Sequence, residues 1–264
     1  MYLTYLYSNI DIYFIILTRI LGFFVMLPVI SGSSIPNAVK LPLVLISTAL
    51  VYSSQAVQAI DYGNSYLGFG ALMFKEFMVG ALIAFVGYMI FTLVYLVGQL
   101  IDFQLGLSMV SVFDPVSQLQ IPITGNLIYY MVCLLFVQSG GLNAFAALIL
   151  SSYKMLQPGK ASLLLNGEVV IFFLDLTTEV FSIGVKYSLP VLGGIIVLDV
   201  ALGLLVKAVP QANIFVVGIP LKLLVGFLIL YISIPTFIDM YNYIFDESYS
   251  KMLDLMQGLV LNGR

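Results

Sequence analysis

Residues 69–101 read FGALMFKEFMVGALIAFVGYMIFTLVYLVGQLI. Lys75 and Glu76 stand near the start of the run, and none of the remaining side chains is charged. As one helix the run would extend about 50 Å at 1.5 Å per residue, whereas the hydrocarbon core of a bilayer is only about 30 Å thick. Part of it must therefore project from the bilayer or pack inside protein. Gly80 and Ala84 form a small-xxx-small pair, with Gly87 further along. Such spacing lets helix backbones approach closely, and it also fits an apolar helix that merely tolerates glycine.

Apolar runs continue on both sides. The first covers about 12–30 and contains Arg19; the second covers about 41–60 and is dilute in its latter half (Ser53, Ser54, Gln55, Gln58). Residues 31–40 and 61–68 read as loops. The fourth run, about 121–150, is interrupted by Ser139-Gly140-Gly141, which predicts a kink or a hairpin. Residues 151–168 form the longest polar connection and mark a division into 1–160 and 161–264. The fifth stretch, about 169–206, is expected to divide at Pro190 and Gly193-Gly194. The sixth covers about 214–238, and the amphipathic tail 239–264 is expected to lie on a partner or on the membrane.

Composition agrees with this pattern. In 264 residues there are 10 Lys+Arg and 13 Asp+Glu, and charged residues make up 9%, against about 25% in a typical soluble domain. The bilayer, or a large apolar assembly, must therefore be the solvent for much of this chain, which reads as long, broken helices. The chain has no His and one Cys, Cys133. Histidine-bound metals, a Ser-His dyad and intrachain disulfides are thereby excluded. Cys133 reads as a packing residue. No cofactor, metal or nucleic-acid partner is expected, since a net charge of −3 gives no electrostatic footprint for nucleic acid. No cleavable leader is expected, because the first positive side chain, Arg19, lies inside the first apolar run.

Arg19, Lys75, Glu76, Asp175, Glu179, Lys186, Asp199, Lys207 and Lys222 all sit in or beside apolar runs. Each would cost about 2.5–3.5 kcal/mol at a lipid-facing helix centre. They imply burial against partners, a watery cavity, or helices away from bilayer depth. Residues 101–122, IDFQLGLSMVSVFDPVSQLQIP, are semi-polar and contain the turn pair Asp114-Pro115. Irregular backbone there cannot face lipid. It is either an ordinary exposed loop or a buried or cavity-lining one, and its many apolar side chains argue for the latter.

Two stretches carry a resemblance. GQLIDFQLGLSMVSVFDPVSQLQIP (98–122) supplies Gly98, Ile101, Gln104, Gly106, Ser108, Asp114 and Pro115. DVALGLLVKAVPQANIFVVGIPLKLLVGFL (199–228) supplies Leu202, Gly203, Leu204, Pro210, Gln211, Asn213, Phe215, Gly218 and Pro220. Together they resemble the signature stretches of the flagellar export-gate protein FliR family, which includes counterparts in virulence type III secretion. Lys207 stands where the family usually has Arg, and GGLN at 140–143 stands where many members have a Gly-His pair.

The resemblance implies an all-α integral membrane protein of long, broken helices and helical hairpins, a subunit of a spiral hetero-oligomeric export gate in the bacterial inner membrane, at the flagellar basal body. Its first part, 1–160, would be FliP-like, and its last part, 161–264, a FliQ-like hairpin plus tail. Implied partners are FliP-type and FliQ-type subunits, an FlhB-type switch protein, membrane lipid and the exported unfolded polypeptides. The segment 106–122 would help plug the channel, and Gly106, Leu107, Met109, Val112, Phe113, Asp114 and Pro115 are its candidate gating residues. Apolar side chains close a pore by dewetting and contact. Lys207, Pro210, Gln211, Asn213, Phe215, Gly218 and Pro220 are candidates for a structural corner used in assembly. The residues leave two other readings open, a stand-alone secondary transporter and an intramembrane enzyme. Against the first no internal repeat is evident. Against the second there is no Ser-His pair and no Gly-Asp dipeptide.

Overall fold

The computed structural model describes residues 10–31, 36–54, 65–107, 122–160, 167–208 and 214–261. The described residues form helices and no strand. In order these are α1 (Ile10–Met26), the single turn α2 (Pro28–Ser31), α3 (Asn37–Ser53), α4 (Tyr66–Leu105), α5 (Ile123–Gln138), α6 (Gly141–Met155), α7 (Gly167–Ala208), α8 (Ile214–Ile232) and α9 (Ile234–Leu261). Two helices, most of α7 and the whole of α4, are long and apolar enough to cross a membrane. The pairs α5–α6 and α8–α9 pass the same test as bent spans, at 71° and 54°. The protein is an all-α integral membrane protein.

Contacts divide the chain into two compact units that interleave along the sequence. Unit one takes Met1–Ile90, Ser139–Leu176 and Phe245–Arg264; unit two takes Phe91–Gln138 and Thr177–Ile244.

Unit one is organised around a buried ion pair. Arg19 on α1 and Glu76 on α4 are 2% and 0% exposed, and their charged groups lie 2.5 Å apart. The arginine Nη1 donates to the carbonyls of Ser152 (3.1 Å) and Leu156 (2.9 Å). Those carbonyls lie at the C-terminal end of α6, where a cation complements the helix dipole; that of Ser152 also accepts from the Leu156 amide (2.9 Å), so the guanidinium takes its second lone pair. The guanidinium also lies over the Tyr153 ring, 4.4 Å from its centroid. The other oxygen of Glu76 accepts from the Gly159 amide (2.8 Å), and Lys75 donates to the Gly159 carbonyl (2.7 Å). Two of the charges noted in apolar runs thus neutralise each other and fix the turn after α6. Close packing permits this. A Cβ on Gly22 would strike the Phe77 carbonyl, and one on Gly80 would strike the Arg19 carbonyl. Gly80 therefore marks a true close approach of helix backbones.

Unit two buries Val94, Val97 and Ile101 of α4, Ile128, Val132 and Phe136 of α5, and Val191 and Ile195 of α7. Phe91 meets Phe136 edge to face at 6.1 Å.

Several boundaries differ from the sequence expectation. α7 does not divide at Pro190 and Gly193-Gly194; it is one helix of 42 residues. A proline removes only its own N–H bond and crowds one carbonyl, a local loss that the rest of a long helix outlasts. α3 begins at Asn37, inside the expected 31–40 loop, and ends at Ser53. The fourth run kinks at Gly140, whose φ is +79°. The sixth run stops at Ile232, and Pro235 lies in the first turn of α9, where its missing N–H is harmless. The tail helix does not reserve its apolar face for lipid or a partner. Met252, Leu255, Met256 and Leu259 are buried in unit one, with the Met252 tip against Gly87.

Candidate functional site

The first signature stretch ends in a built helix stop. Gly106 adopts φ +80°. Its amide donates to the Phe103 carbonyl (3.2 Å), and the Leu107 amide donates to the Asp102 carbonyl (3.0 Å). These two bonds are the 5→2 and 6→1 bonds of a Schellman stop, which uses glycine because a side chain is strained in the left-handed region.

The same turn of α4 grips the helix that begins after residue 121. Asp102 is 3% exposed, and both its carboxylate oxygens accept from the Thr124 amide at 3.2 Å. The carboxylate therefore faces the N-terminus of α5, where free N–H groups and the helix dipole favour an anion. One turn earlier, Gly98 packs directly on Gly125 of α5; a Cβ at Gly98 would strike the Gly125 backbone. Leu107 and Pro122, which bracket residues 108–121, thus spring from one clamped junction.

The two signature stretches then meet. Gln104 Nε2 donates to Asp199 Oδ2 at 3.0 Å, and Lys222 Nζ donates to the same oxygen at 2.9 Å. Lys222 Nζ also lies 2.7 Å from Asp199 Oδ1. A carboxylate and an ammonium in facing apolar helices are each compensated by the other, and the amide fills a further acceptor position. Elsewhere in unit two, Tyr243 donates to Glu179 at 2.8 Å. Among the described residues no group of three or more Cys, His, Asp or Glu is placed to hold a metal ion.

Residues 10–248 match the family model described as "Bacterial export proteins, family 1". The chain belongs to this family. It is 27% identical to the flagellar biosynthetic protein FliR of Bacillus subtilis (strain 168) over 254 residues, covering 94% of this chain and 97% of that protein. It is 28% identical to FliR of Escherichia coli (strain K12), covering 96% of each. It is 27% identical to the secretion system apparatus protein SsaT of Salmonella typhimurium, covering 89% and 92%.

Of the residues singled out in this export-family chain, Gly106 and Leu107 form the helix stop. Met109, Val112, Phe113, Asp114 and Pro115 lie outside the described residues, as do Pro210, Gln211 and Asn213. Lys207 is exposed in the last turn of α7. Phe215 lies in the first turn of α8, Gly218 is buried further along it, and Pro220 is exposed within the helix rather than at its mouth. Asp102 was not among the candidates; Gln104 was named only as a signature residue, and Asp199 and Lys222 only as costly charges, with no pairing among the three. The available signal was their cost: a carboxylate inside an apolar helix needs N–H or cationic partners, and few residues could supply them.

Proposed function

We propose that this chain is a subunit of the bacterial type III protein export gate. It would form part of the channel through which unfolded flagellar subunits cross the inner membrane at the flagellar basal body. Residues 106–122 would help to plug the closed pore. The observation that carries the reading is the clamped junction at which this segment begins and ends, held by Asp102, Gly98 and the stop at Gly106. A plug must keep its roots while its tip yields to a passing chain. Leu107, Met109, Val112 and Phe113 suit the tip, because apolar groups close a pore by dewetting and methionine adapts to varied neighbours.

The names of the relatives support the same reading, since FliR and SsaT are a flagellar biosynthetic and a secretion apparatus protein. On this reading the chain conducts and does not catalyse. Its partners would be FliP-type and FliQ-type gate subunits and an FlhB-type switch protein, matched by a FliP-like part at 1–160 and a FliQ-like part at 161–264. The corner of Lys207, Pro210, Gln211, Asn213, Phe215, Gly218 and Pro220 would serve assembly. A virulence secretion gate is the second reading, favoured by the SsaT match at nearly the same identity as FliR.

The test is the native mass of the chain extracted in mild detergent, expressed with and without the neighbouring gate genes. A hetero-oligomer holding one copy, formed only with those neighbours, is expected. A monomer or homodimer indifferent to them overturns the gate. Within an assembled gate, Met109→Ala with Phe113→Ala should raise ion leak, and unchanged leak removes those two residues from the plug.

A further inference from the structure

The Asp199–Lys222 pair is not closed over. Asp199 keeps 37% of its side chain exposed and Lys222 20%. Both stand in strongly apolar surroundings: Asp199 is the one charge between Lys186 and Lys207, and Lys222 is the one charge of α8. One helical turn beyond Asp199 comes Gly203, on whose Cβ position nothing lies within 4 Å. One turn further comes Lys207, exposed and without an ionic or hydrogen-bonding partner among the described residues. Residues four apart share a helix face. Along one face of α7 the order is therefore a half-open carboxylate, a notch and an ammonium with no partner among the described residues. Ile196, Val200 and Leu204 border them and are exposed.

Lipid satisfies only part of this face. Lys207 could reach headgroups along its own stem. The open side of Asp199 could not, because hydrocarbon offers a carboxylate no donor. Gly203 is equally unexplained by lipid. Glycine weakens a helix interior, and among the described residues no neighbour demands it. A second helix at close range accounts for all three features together.

We propose that this face receives a helix of a neighbouring export-gate subunit. That helix is apolar, places a basic side chain level with Asp199 and an acidic one level with Lys207, two turns apart, and lays its backbone against Gly203. The proposal rests on the export-gate reading and adds the face and the chemistry of the contact.

The experiment uses the full chain co-expressed with FliP-type and FliQ-type subunits, with recovery of the complex read by native mass. Asp199→Lys combined with Lys222→Asp keeps the internal ion pair and reverses the charge shown outward; Gln104 can turn its amide to accept instead of donate. Gly203→Leu fills the notch, which is empty among the described residues. Both variants should accumulate like the wild type when expressed alone. Complex recovery should fall at least about tenfold, as loss of a buried charge contact at an interface does. Wild-type recovery with the reversed pair overturns the proposal, even if Gly203→Leu fails, and then the face meets lipid. Should the reversed pair fail to accumulate, Lys207→Glu decides: wild-type recovery overturns the charge matching and a loss upholds it. A wild-type chain recovered alone overturns the gate reading and takes this proposal with it.

Discussion

Arg19 and Glu76, 57 residues apart in the chain, meet in a 2.5 Å ion pair from which solvent is shut out. The pair does more than cancel two charges. Through Ser152, Leu156 and Gly159 it joins α1, α4 and the end of α6. Removing one partner of a buried pair is worse than never having built it, because the survivor stays desolvated. Arg19→Ala should therefore destabilise the chain by about 3–5 kcal/mol, read as loss of detergent-extractable protein. Arg19→Lys should fall between Ala and wild type, since an ammonium cannot span the carboxylate and two carbonyls in a planar fork. Wild-type levels of Arg19→Ala would refute the clamp.

Asp102 makes a different prediction. Its carboxylate holds the Thr124 amide at the root of α5. Asp102→Ala leaves that buried donor without its acceptor, a loss of about 1–3 kcal/mol. The junction that brackets 108–121 should loosen, and ion leak through the assembled gate should rise while subunit stoichiometry holds. Asp102→Asn keeps one acceptor oxygen and should leak less than Asp102→Ala. Equal leak in both variants and wild type would separate Asp102 from the plug.

Much of this fold was legible because hydropathy is a local property. Long apolar runs became α4 and α7, and Ser139-Gly140-Gly141 became a bend. Hidden were the properties that depend on what a helix touches. Pro190 looked like a divider, yet one missing N–H bond does not end a 42-residue helix. The tail looked like a helix awaiting a partner or membrane, yet its apolar face is buried in unit one. The charges gave the clearest mixture. Their cost in an apolar run was evident, but the pairing of Arg19 with Glu76, or of Asp199 with Lys222 and Gln104, depends on helix crossings that no short window contains. Of the site, Gly106 was legible only as a signature and gating residue through the resemblance; its geometry makes it a helix terminator.

Gly106→Ala tests that terminator. Among the described residues a Cβ at this position meets no neighbour within 4 Å. What changes is the backbone: a φ of +80° holds a side chain in the left-handed region, at about 1–2 kcal/mol. The variant should melt at lower temperature in detergent, and Gly106→Asn should lose less, because Asn tolerates that region better than Ala. Equal melting of Ala and glycine forms would mean that the stop contributes nothing.

Pro190 gives the last test, because a proline inside a continuous helix is either tolerated or used. In α7 it leaves the carbonyl four residues back, that of Lys186, without its helical donor. The side chain of Pro190 is exposed, so replacement disturbs little packing among the described residues. Pro190→Ala supplies the missing N–H and removes the ring. Alanine is about 3 kcal/mol better than proline in a helix interior, and a helix that already accommodates the ring should recover only part of that, roughly 1 kcal/mol. The variant should therefore melt higher in detergent. If export through the assembled gate is unchanged, the proline is merely tolerated. If export falls while melting rises, the softness at Pro190 serves passage of the polypeptide. A lower melting temperature would contradict the continuous helix itself.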